Sequence, residues 1–153
     1  MRVFSILGLS CLAALFAGLS IAQGAGPSIQ VQDAWARQAP MMPSMGQMHG
    51  AGGNGAVYVT LQNAGPEAAT LVGASTDAAE SAELHETIRE GDVMRMRPVP
   101  KLEVPAGGTM AMKPGGLHIM LINLKHALQP GERIHVTLTF EQGPPLSLDV
   151  PVR

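Results

Sequence analysis

The stretch Ala82–Val99, AELHETIREGDVMRMRPV, decides the fold class of this 153-residue chain. Two short extended runs, Ala82–Ile88 and Val93–Val99, flank the polar segment Arg89-Glu90-Gly91-Asp92, which has the composition of a hairpin turn. Working outward, the same punctuation by Gly and Pro recurs. Ile29–Ala36, Ala56–Asn63, Thr70–Ser75, Gly116–Asn123, Arg133–Glu141 and Leu146–Val152 all read as strands. No segment keeps a helical period, although Thr76–Glu83 has room for one turn. Eight short strands separated by frequent turns predict an all-β antiparallel sandwich or barrel, with no repeat and no second domain. Aromatic residues are scarce, so Val, Leu, Ile and Met must fill the core, with Trp35 expected as an anchor beside Tyr58 and Phe140.

The hairpin carries His85 and Met96. A two-residue loop at Glu90-Gly91, or a four-residue loop from Arg89 to Asp92, pairs Ile88 with Val93 and places His85 opposite Met96. Directly opposed residues have Cβ atoms about 4.5–5.5 Å apart, close enough to share one metal ion. His118 and Met120 lie two apart on another strand and therefore project from one face. The Pro114-Gly115-Gly116 turn before them would bring that strand end to a rim. Sequence alone does not make the two strands neighbours.

Two imidazoles and two thioethers form a soft, uncharged ligand set that favours Cu(I) over zinc, magnesium or calcium. Glu83 and Glu86 beside His85 could orient its ring. Ordinary readings cover the other candidates. Met94, Met110 and Met112 are expected in packing or behind the ligands. His126 falls in a polar loop, and His135 on the face opposite Ile134, Val136 and Leu138.

Residues 1–22 have the parts of a Sec-type export signal: Arg2, an apolar run from Val3 to Leu19, and Ser20-Ile21-Ala22 before the cut. Cleavage there would leave residues 23–153 in the periplasm, and no membrane anchor is then expected. The single cysteine, Cys11, falls inside the signal, so the mature chain has neither thiol nor disulfide. The signal takes one of the ten basic residues, leaving nine against twelve acidic ones, a formal charge of −3. That balance argues against nucleic acid or anionic lipid as a partner. Pro40–Gly55 is a Gly- and Pro-rich loop holding Met41, Met42, Met45, Met48 and His49. It is either a tolerated surface insertion or a second soft-metal patch able to take another copper ion.

The pattern His85, Met96, His118-Ile119-Met120 resembles that of the PCuAC family of periplasmic copper chaperones. The likeness extends to Asp33-Ala34-Trp35-Ala36-Arg37, to Gly55–Asn63, to Glu83-Leu84-His85 with Gly91–Arg97, to Lys113–Leu121 and to Gly131–Phe140. It spans essentially the whole mature chain, with the loop at 40–55 longer than the linker expected there. The resemblance implies a cupredoxin-like Greek-key β-barrel holding Cu(I) through His85, Met96, His118 and Met120. It also implies a recipient such as cytochrome c oxidase subunit II, at its dinuclear copper site, or a Sco-type thiol protein.

Other function classes are separable. An electron-transfer blue copper site needs a Cys thiolate, which the mature chain lacks. A hydrolase would need a nucleophile elbow, a zinc motif or a carboxylate pair near a base, and none is evident; the chain is not expected to be an enzyme. A general copper scavenging or resistance protein, or a metal-independent β-sandwich interaction module, are the remaining alternatives. In the interaction module the His and Met residues would be surface accidents, and Cu(I) would leave thermal stability unchanged.

Overall fold

The computed structural model describes residues 26–39 and 53–153. The expected export signal at 1–22 and the metal-binding reading of the Met41–His49 segment therefore lie outside the described residues. Ten strands follow one another: β1 (Ile29–Ala36), β2 (Gly55–Asn63), β3 (Ala69–Thr76), β4 (Ala79–Glu90), β5 (Val93–Pro98), β6 (Leu102–Val104), β7 (Thr109–Ala111), β8 (Leu117–Leu124), β9 (Arg133–Phe140) and β10 (Leu146–Pro151). Among the described residues there is no helix. The turn expected within Thr76–Glu83 is instead strand at both ends, because β4 starts at Ala79 and pairs with Leu124 of β8. Long-range pairing wins there over a weak local preference.

The strands form one sheet in the order β1-β2-β8-β4-β3-β9-β10, with β5 beside β4, β6 beside β3 and β7 beside β2. Every ladder is antiparallel. The sheet curls until its first and last strands meet in a parallel bridge between Ala36 and Val152. Arg153 N–H donates to the Ala36 carbonyl at 2.9 Å, and Gln38 N–H to the Arg153 carbonyl at 2.9 Å. Strand β8 wedges between β2 and β4, giving the cupredoxin-like Greek-key barrel that the family resemblance implied, where the strand pattern alone predicted an antiparallel sandwich or barrel.

Alternation explains which side faces in. Ile134, Val136, Leu138 and Phe140 of β9 are buried while Arg133, His135 and Thr139 are exposed. Val57, Val59 and Leu61 of β2 meet Ile119 and Leu121 of β8 in the same core. Fully burying such side chains stabilises the fold by about 1.5–3 kcal/mol each. Met110 and Met112 are buried and pack as expected. Trp35 departs from expectation: it is half-buried and lies against Tyr58, ring centroids 4.6 Å apart, outside the buried core.

Candidate metal centre

Strand β4 is long enough to serve two neighbours. Its first part, Ala79–Glu86, pairs with β8, and its last part, His85–Glu90, pairs with β5. His85 sits in the overlap. It lies directly opposite His118 on β8, and their ring centroids are 5.9 Å apart. One step along the same face, Glu83 opposes Met120, and Ala56 of β2 flanks Met120 on its other side. The strand adjacency that the sequence left open is thus present.

The hairpin register differs from expectation. Met96 opposes Thr87, and His85 opposes Pro98, a slip of two residues. The cause is the turn, which is Gly91-Asp92 with glycine first at φ 64°. Glycine in that position fits a II′-type hairpin, which follows the right-handed twist of its strands. A two-residue slip conserves the face, so Met96 stays on the side of His85, one diagonal step away. Met94, opposite Arg89, shares that face too.

A cavity of about 380 Å³ opens on this face. Met94, Met96, His118, Met120, Tyr58 and Thr87 contribute to its wall, and Pro114 and Gly115 form one edge. Gly115, at φ 82°, takes the third position of a turn closed by Gly116 N–H donating to the Lys113 carbonyl at 3.0 Å. That is the geometry of a type II turn with Pro second. His85 does not line the cavity; it is reached through its pairing with His118. Among the described residues, Arg37 is the sole charged one on the wall. Gln38, Ala39 and Asn54, which bracket residues 40–52, also line it.

Both histidines are buried, His118 at 4% exposure and His85 at 9%. Their hydrogen bonds show which ring nitrogen is available. The Gly116 carbonyl lies 3.1 Å from His118 Nδ1 and can only accept, so Nδ1–H donates and Nε2 keeps a lone pair. Glu83 Oε2 lies 3.0 Å from His85 Nε2, so Nε2–H donates there. His85 Nδ1 is then left buried with no hydrogen-bond partner. A buried unpaired nitrogen is costly unless something else binds it. Glu86 plays no part in this: it points to the opposite face, where Arg97 Nη2 donates to it at 2.9 Å. Strand alternation separates Glu83 from Glu86 and could have told them apart.

Among the described residues no three His, Cys, Asp or Glu side chains cluster as a metal site. Hard-cation chemistry, which needs several oxygen ligands, has no such cluster here. The donors that do gather are imidazoles and thioethers. Met94, expected in packing or behind the ligands, is 57% exposed and lies on the cavity wall near His118 and Met120, and Met96 is 61% exposed. Tyr58 and Thr87 joined the site without any chemical motif to mark them. Their positions follow only from the pairing of β2 and β4 with β8.

A family model described as "Putative lipoprotein LpqE-like" matches residues 29–152. The chain belongs to the LpqE-like family. A relative from Leifsonia xyli subsp. xyli, "Putative lipoprotein Lxx21020", is 36% identical over 126 residues, which are 82% of this chain and 69% of that protein. The barrel superimposes on the apo PCuAC domain from PmoF1 with a TM-score of 0.62 at 22% identity, covering 82% of this chain and 92% of that domain. It also matches the solution structure of CuI-DR1885 from Deinococcus radiodurans, with a TM-score of 0.58 and 34% identity over 80% of this chain and 78% of that one. The PCuAC resemblance read from the sequence is therefore found in the fold.

Proposed function

We propose that this chain is an exported Cu(I) metallochaperone that holds the ion with His85, Met96, His118 and Met120 and passes it to a recipient protein. One observation carries the reading: two buried, cross-strand histidines each have one ring nitrogen fixed by an acceptor and the other left open. They share a sheet face with two thioethers, and among the described residues no carboxylate lines the adjoining cavity. Neutral nitrogen and sulfur donors suit Cu(I) and discriminate against harder ions. The copper(I) form of DR1885, a relative with the same fold, adds support. Copper is cargo here, and a thioether drawn from an exposed hairpin strand, Met96, is suited to releasing it.

The lipoprotein names in the family favour export, and the signal-like first 22 residues would direct it to the periplasm. The recipient that fits the resemblance is the dinuclear copper site of cytochrome c oxidase subunit II, reached directly or beside a Sco-type protein. No step of this role is catalytic.

Competition against a Cu(I) chelator tests the site. Met96→Leu keeps size and apolarity, so the fold should persist while Cu(I) affinity drops about tenfold, or 1.4 kcal/mol. Unchanged affinity would remove Met96 from the ligand set. Transfer of Cu(I) to an isolated, reduced subunit II copper domain, read as the copper content of the separated domain and as its charge-transfer spectrum after one-electron oxidation with added ferricyanide, tests the recipient.

A further inference from the structure

Met94 has no explanation in the packing and none in the four-residue ligand set. It is 57% exposed on β5, a strand whose six residues are all exposed. Methionine normally fills core gaps, and an exposed thioether invites oxidation. The hairpin is also two-faced. On one face Glu86 pairs with Arg97 at 2.9 Å and Glu90 with Arg95 at 3.0 Å, a solvated ladder of charges. The other face holds Met94 and Met96, with Thr87 across from Met96. Arg89, the residue opposite Met94, donates from Nε to the Gly91 carbonyl at 2.9 Å. Its guanidinium is thereby held at the turn. The thioether of Met94 is left on the cavity wall with His118 and Met120.

We propose that Met94 is a transit ligand at the mouth of the pocket, the outermost thioether through which Cu(I) enters and leaves. This rests on the functional reading above and adds a residue to it. Successive same-face positions on a strand lie about 6.6 Å apart, so Met94 stands one step beyond Met96 toward the hairpin tip. As the ion leaves, a copper–sulfur bond to Met94 forms while a bond to an inner ligand breaks. Copper stays Cu(I), and no electron or proton moves. A recipient's own soft ligand then displaces Met94, which no core contact restrains.

A group that binds the ion only at the barrier alters uptake and release equally and leaves the equilibrium unmoved. The test compares Met94→Leu with the unaltered protein and with Met96→Leu. Release to excess bicinchoninate is followed by stopped flow, affinity by competition, and sulfur count by X-ray absorption on the Cu(I)-loaded protein. In Met94→Leu, release and loading should both slow about tenfold, affinity should stay within about threefold, and the sulfur count should not change. Weaker affinity with a lost sulfur neighbour would overturn the transit role and make Met94 a resident ligand. Rates within about twofold of the unaltered protein would overturn it in favour of a plain surface methionine. If the unaltered protein bound no Cu(I), the functional reading would fall first, and this one with it.

Discussion

Strand β2 has a buried polar centre near each end, and the two are built on opposite rules. At its last residue, Asn63 is fully buried, and every polar atom of its side chain is engaged. Its Nδ2 donates to the Glu67 carbonyl at 2.7 Å and the Val104 carbonyl at 3.2 Å. Its Oδ1 accepts from Ser28 N–H and Gly65 N–H, each at 3.0 Å. One amide thus ties β1, β2, β6 and the loop after β2 together. At the other end, Gly55, Ala56 and Tyr58 border the cavity lined by His118, whose Nε2 lone pair is uncommitted. His85 Nδ1 is buried and unpaired. A satisfied buried polar group specifies structure; an unsatisfied one marks a place where a ligand completes the set. The contrast predicts opposite responses to substitution.

Asn63→Ala should have the largest effect on the fold. It strands two carbonyls and two N–H groups away from water and leaves a small void, costing about 3 kcal/mol. Chemical denaturation would measure this, and the folded fraction should bind Cu(I) as before. A loss below about 1 kcal/mol would mean that water replaces the amide and that the two ends are not so different.

His85→Leu should invert that pattern. Removing a half-satisfied imidazole in favour of an apolar side chain should leave metal-free stability unchanged or raise it by about 1 kcal/mol. Cu(I) affinity should fall about 100-fold, or 2.7 kcal/mol. If stability fell as steeply as in Asn63→Ala, His85 would be a structural histidine and the contrast would fail.

Much of this was readable in the residues, and the part that was not has physical causes. All eight expected strands are present. In most of them one face is buried, and burial imposes the alternation that sequence displays; all six residues of β5 are exposed, and that strand is held by its pairing with β4. Strands β6 and β7 escaped because three residues cannot show a period; Leu102, Val104 and Met110 are buried through pairing with distant β3 and β2. His118 and Met120 share a face by parity alone. The hairpin register slipped because it depends on where Gly91 sits within the turn, and its positive φ puts it first rather than second. The exposure of Met94 escaped for another reason. Alternation says which residues share a face, but not whether anything covers that face, and among the described residues nothing covers β5.

The smallest effect concerns Glu83, which links the two rules. It gives His85 the one hydrogen bond it has, at 3.0 Å, and so determines which nitrogen is left open. Removing an orienting carboxylate usually lowers metal affinity about 10- to 100-fold. The Glu83 side chain is half-exposed, so water can partly replace it, and the lower end of that range applies. Glu83→Ala should therefore weaken Cu(I) binding about tenfold with little change in unfolding. Glu83→Gln should lose less, since an amide oxygen still accepts from Nε2–H. Equal losses in the two variants would show that charge matters more than orientation. No loss in either would show that the ring is held by packing between β4 and β8, and the open Nδ1 would then owe nothing to its neighbour on the strand.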